Sequence, residues 1–60
     1  MTYKQISQIK EQLPEGETLN WMYRAIEGDI RVISRDTQGN EYRYTVRFDA
    51  DDNVTIQLMP

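Results

Sequence analysis

Glu41-Tyr42-Arg43-Tyr44-Thr45-Val46-Arg47-Phe48 decides the fold of this chain. Tyr42, Tyr44, Val46 and Phe48 alternate with Glu41, Arg43, Thr45 and Arg47, the period of two that gives a strand one buried and one wet face. Such a strand reads as an interior member of a small antiparallel sheet. On its C-terminal side, Asp49-Ala50-Asp51-Asp52-Asn53 is rich in residues that bond their own backbone, which predicts a turn. Val54, Ile56 and Leu58 then continue the inner face on a last strand.

On its N-terminal side, Thr37-Gln38-Gly39 predicts a three-residue loop, a type I turn whose third position is left-handed and suits glycine. The preceding strand is then Ile30 to Asp36. This register sets Arg35 opposite Glu41 and Asp29 opposite Arg47, two cross-strand pairs of opposite charge. Further back, Glu17 to Glu27 carries Leu19, Trp21, Tyr23 and Ala25 on one face and Asn20, Met22, Arg24 and Ile26 on the other. Gly28-Asp29 predicts a two-residue hairpin loop that pairs Glu27 with Ile30, Ala25 with Val32 and Tyr23 with Ser34, and lets Arg24 meet Ile33 outside.

Residues 2 to 13 predict a helix capped by Thr2, with Tyr3, Ile6, Ile9 and Leu13 as its apolar stripe, and Pro14 and Gly16 stop it. A helix beside a sheet with one apolar face has an obvious place to pack; docking into a partner's groove is the alternative. The expected fold is α+β, one N-terminal helix packed on a four-stranded antiparallel β-meander in the order 1-2-3-4, as a single domain over residues 1–60.

Sixty residues bury about 60% of their unfolded surface, so the core is small. The chain has no cysteine, which removes disulfides and thiolate ligands and points to an intracellular, cytoplasmic protein. The start lacks the apolar core of a signal peptide, and no run is long enough to span a bilayer, so a soluble protein without membrane partners is expected. A net charge of -3 works against indiscriminate nucleic-acid binding.

Catalytic and ligand motifs fail one by one. Asp49, Asp51 and Asn53 match the first positions of a calcium loop, but Val54 and Pro60 stand where it needs Gly and Glu. With no His and no Cys, a nucleophile would have to be Ser7 or Ser34, and Ser34 has no evident base; a locally bonded buried hydroxyl is the plainer role. The acids fall mostly in turns and at strand ends, where solvation keeps their pKa values ordinary. Gly16, Gly28 and Gly39 lie too far apart for a phosphate loop. A non-enzymatic protein with no cofactor or metal is expected.

Strand parity leaves one surface to test. If Trp21, Tyr23, Tyr42, Tyr44 and Phe48 face the helix, the open face collects Arg24, Arg31, Arg35, Arg43 and Arg47 among Met22, Ile26, Ile33 and Met59. Met22, Arg24, Arg31, Ile33, Arg35, Arg43 and Arg47 are the candidate partner-binding residues, because Arg and Met are enriched at protein interfaces. An uncovered sheet face must in any case be polar, so a solvated surface explains the same arginines. A protein with an acidic surface is the favoured partner. Nucleic acid is the alternative, weakened because aromatic rings for base stacking all have inward parity. A structural homodimer, through this face or through uncovered edge strands, is the third reading. Chains of this size also occur as accessory or inhibitory proteins of phages and mobile elements.

Overall fold

The computed structural model describes all of Met1–Pro60. Helix α1 (Tyr3–Gln12) leads into β1 (Thr18–Arg24), β2 (Ile30–Arg35), β3 (Glu41–Phe48) and β4 (Val54–Leu58), one antiparallel sheet in the order β1-β2-β3-β4. The architecture is the α+β meander that the alternation of Glu41 to Phe48 implies. No helix is long and apolar enough to cross a membrane.

The helix begins as its sequence requires. Thr2 Oγ1 accepts from the Gln5 N–H at 3.1 Å and Gln5 Oε1 accepts from the Thr2 N–H at 2.9 Å, a reciprocal box that satisfies two of the free donors at the helix start. Leu13, extended ahead of Pro14, ends it. The apolar stripe is narrower than expected: Ile6, Ile9 and Leu13 turn inward, but Tyr3 is 91% exposed. Ile9 is fully buried with Val32, Tyr44, Val46 and Val54, and Leu19, Met22, Ile30, Tyr42 and Ile56 pack around them.

All three hairpin loops have one geometry. The N–H groups of Ala25, Asp36 and Asp49 donate to the carbonyls of Asp29, Asn40 and Asn53. Inside each loop Gly28, Gly39 and Asp52, with φ of 99°, 87° and 61°, donate back to the first residue. The middle loop is thus the three-residue loop expected at Thr37-Gln38-Gly39. The first loop is not the two-residue turn expected at Gly28-Asp29, and its extra residue shifts the register: Ile30 pairs with Arg24, Arg31 with Tyr23 and Val32 with Met22. The expected pairs Glu27–Ile30, Ala25–Val32 and Tyr23–Ser34 do not form, and Trp21, not Arg24, opposes Ile33.

A slip of odd number turns a strand over. In β1, Met22 and Arg24 consequently lie on the helix side, and Trp21 and Tyr23 on the open side, the reverse of the expected parity. A bulge between Leu19 and Trp21, with Asn20 as the extra residue, restores Leu19 to the inner face opposite Ser34. Parity in β2, β3 and β4 is as expected, although Phe48 and Leu58 at strand ends stay 46% and 56% exposed.

The helix does more than cover the sheet, because it packs against β4 and closes its free edge. Gln8 Oε1 accepts from the Val54 N–H at 2.9 Å. Gln12 accepts from the Ile56 N–H at 3.0 Å and donates to the Val54 carbonyl at 2.8 Å, as the backbone of a fifth strand would. Gln5 Nε2 reaches the Asp52 carbonyl and Gln8 Nε2 the Asn53 side chain. Glutamines that read as solvent-facing in the sequence thus satisfy the row of groups that an edge strand leaves bare.

Candidate functional site

The open face is built from cross-strand rows that the registers fix. Thr18, Arg35 and Glu41 form one row, and Tyr23, Arg31, Thr45 and Gln57 another. Between them lie Trp21, Ile33 and Arg43, extended by Met59, whose N–H donates to the Arg43 carbonyl at 2.8 Å. Trp21 is 62% exposed, whereas Ile33, Tyr23 and Met59 are half-buried. Arg43 Nη1 lies 3.4 Å from the Tyr23 hydroxyl, to which it donates.

Of the seven candidate residues, Arg31, Ile33, Arg35, Arg43 and Arg47 stand on this face and two do not. Met22 packs against the core, and Arg24, on the helix side, donates to the Gly28 carbonyl at 2.6 Å. Ile26 sits fully exposed in the first loop, beyond the end of β1. The arginines that remain are unequal. Arg35 Nη2 pairs with Glu41 at 2.8 Å, the cross-strand pair expected from the loop register. Asp29 does not pair with Arg47; its carboxylate takes Arg31 Nε at 3.0 Å, and Glu27 takes Arg31 Nη2 at 3.0 Å. The Arg31 guanidinium beside it, despite slight desolvation, holds the Asp29 carboxyl below the usual carboxylate range. Arg43 and Arg47 alone on this face have no carboxylate partner.

Behind the sheet, the inner face holds polar groups that the sequence did not suggest. Glu17 Oε1 accepts from Ser34 Oγ at 2.5 Å and from the Tyr44 hydroxyl at 2.6 Å. Ser34 is fully buried, as expected, but its bond crosses 17 residues and is not local. Burial, followed by the bond to Glu17, pushes the Tyr44 phenol up to about 12. Nor are all turn acids ordinary: against a partial desolvation, bonds from Asn40, Tyr42 and Gln38 draw the Asp36 carboxyl down. Tyr42, donating to Asp36 at 3.0 Å, is correspondingly raised. Asp49 Oδ1 accepts the N–H groups of Asp51 and Asn53 at 2.8 and 2.9 Å, so this carboxylate organises a hairpin loop.

Trp21 and Tyr23 are the site residues that sequence reasoning missed. A signal was present: Ala25-Ile-Glu-Gly-Asp29, Asp36-Thr-Gln-Gly-Asn40 and Asp49-Ala-Asp-Asp-Asn53 share a left-handed-tolerant fourth residue and an Asp or Asn at the fifth. Reading the first by analogy with the second turns Trp21 and Tyr23 outward.

Comparisons with family models, curated proteins and solved structures find no match to this chain.

Proposed function

We propose that this is a small non-enzymatic binding protein that docks another protein on its open sheet face. The observation that carries the reading is the row Trp21–Ile33–Arg43–Met59: an exposed indole, two aliphatic side chains and a guanidinium without a carboxylate. Trp and Arg anchors dominate binding energy at protein interfaces when a rim shields them from water. Here the rim is built in, because the pairs Arg35–Glu41 and Arg31–Asp29–Glu27 flank the row. Arg43 and Arg47 favour a partner that brings carboxylates, since a guanidinium binds them in bidentate fashion. The sealed Ser34 hydroxyl, committed to Glu17, supports a non-enzymatic role.

The test is capture from source-cell lysate, with nuclease, by the wild-type chain beside Trp21→Ala and Arg43→Glu. Each substitution is expected to weaken retention of the captured protein at least about 30-fold, the effect of losing a hot-spot residue. Equal retention by all three chains would remove the open face from the function.

A second reading rests on the outward Trp21 and Tyr23, because single strands stack bases on exposed rings beside arginine. The chain's single tryptophan stands on this face, on the edge strand β1, and reports directly. Under the protein-binding reading, an oligothymidine leaves its fluorescence unchanged; quenching that disappears between about 50 and 200 mM salt establishes the nucleic-acid reading instead.

A further inference from the structure

The two edges of the sheet are treated differently. On β4, Gln8 and Gln12 bond the outward groups of Val54 and Ile56. On β1 nothing equivalent occurs. Ala25 and Asp29 are a hydrogen-bonded pair, and because antiparallel pairs alternate, Arg24–Ile30 and Met22–Val32 are non-bonded pairs. The N–H and C=O groups of Met22 and Arg24 therefore point away from β2, with no side chain of the chain placed to receive them.

We propose that β1 pairs antiparallel with β1 of a second copy, about a two-fold axis at Tyr23, to give a closed dimer with one eight-stranded sheet. The register follows from the bulge. N-terminal to Trp21 the alternation is broken by Asn20, so Met22 and Arg24 are the usable stretch. An axis at Tyr23 pairs Met22 of each copy with Arg24 of the other and uses all four outward groups of each. An axis at Arg24 would set two arginines against each other, and one at Met22 would run the ladder into the bulge. With the axis at Tyr23, the two Tyr23 rings meet on the open face as a non-bonded aromatic pair, and each Trp21 lies opposite the small Ala25 of the other copy. No like charges are directly opposed.

Closure identifies a second copy as the occupant. A two-fold contact consumes both β1 edges, and the β4 edges left outside carry the glutamine caps, so the sheet stops at two chains. A chain with seven buried residues and no cysteine also has what small domains gain from oligomerising. The dimer would make the two open faces continuous across the Tyr23 pair.

The experiment is sedimentation of the full chain from micromolar to millimolar concentration, with single-cysteine variants of this cysteine-free protein. Expected is a doubling of the 7.1 kDa mass, with Tyr23→Cys forming a covalent dimer under mild oxidation. The Cα atoms of a non-bonded pair stand about 4.5 Å apart, within disulfide reach. Arg43→Cys, on β3 and away from the axis, is expected to dimerise like the wild type but to form no covalent dimer. Met22→Pro, which removes an outward N–H and no hydrogen bond within the chain, is expected to weaken the dimer at least tenfold. It also takes a side chain from the margin of the core and lowers the monomer's melting temperature, so the comparison is made where the variant is folded. A 7.1 kDa species at every concentration overturns the proposal, and so does a dimer that Tyr23→Cys fails to link, or faster linking by Arg43→Cys. If Met22→Pro does not fold, the cysteine pair still decides.

Discussion

The carboxylate of Glu17 shows how one polar side chain organises an otherwise aliphatic inner face. A half-buried acceptor left alone would be costly, but two hydroxyls at 2.5 and 2.6 Å give it charge-assisted bonds, each worth about 1.5 to 3 kcal/mol. Tyr44→Phe keeps the ring packed and removes one of them, so a loss of about 2 kcal/mol at neutral pH is expected from urea unfolding. The substitution also has a signature in pH. The folded-state pKa of Tyr44, about 12, lies above its ordinary 10, so the folded chain holds this proton more tightly than the unfolded chain. That contribution is fully present below pH 10 and is lost as pH rises from 10 toward 12. The wild-type midpoint should fall across this window more steeply than that of Tyr44→Phe, with a residual slope from Tyr42, which is also raised. Parallel curves would mean that Glu17 does not hold the phenol. None of this was legible in the sequence, because Glu17 reads as a solvated acid at a strand end until the meander carries Ser34 and Tyr44 to it.

At the scale of elements, loops and edges determine what each strand presents. Three loops of one geometry place Gly28, Gly39 and Asp52 in the left-handed region, where only Asp52 carries a side chain. Asp52→Gly should therefore stabilise the protein by about 0.5 kcal/mol, the relief of the left-handed conformation minus the added freedom of the unfolded chain. Gly39→Ala should cost about 1 kcal/mol, for conformational reasons alone, since nothing lies within 4 Å of an added Cβ. Thermal melts of the two variants moving in the same direction would contradict the shared geometry. The helix edge makes a separate case. Gln12→Ala frees the Val54 carbonyl and the Ile56 N–H; a loss of about 1 to 2 kcal/mol is expected, with self-association beyond that of the wild type as a second edge opens. Elements were legible where alternation met a distinctive loop, as at Thr37-Gln38-Gly39. They were illegible at β1, because Leu19-Asn-Trp-Met-Tyr-Arg-Ala25 alternates in either phase. Its more apolar phase is the one that the three-residue loop turns outward at Trp21 and Tyr23, and the bulge at Asn20 returns only Leu19 to the inner face.

At the scale of the whole molecule, the meander and its helix were legible because each strand alternates and each turn carries its own residues. How the helix sits was not. Tyr3, Ile6, Ile9 and Leu13 share a spacing, yet the glutamines on the neighbouring flank bond β4 and draw α1 toward that edge, which leaves Tyr3 in water and Ile9 at the centre. Ile9 is thus the one fully buried side chain that the helix gives to a core with few buried residues, with Leu13 packed at its margin. Stabilities of about 0.05 to 0.15 kcal/mol per residue give a chain of this length about 3 to 9 kcal/mol in all. Removing a buried Ile side chain to Ala costs about 2 to 5 kcal/mol, a large share of that total. Ile9→Ala is therefore expected to be partly or wholly unfolded at 25 °C, with helix and strand signals lost together in far-ultraviolet circular dichroism, whereas Tyr3→Ala stays within about 0.5 kcal/mol of the wild type. Should Ile9→Ala lose its helix and retain the sheet's near-ultraviolet tyrosine signal, the sheet folds without the helix, and the glutamine caps on β4 become an accessory to it.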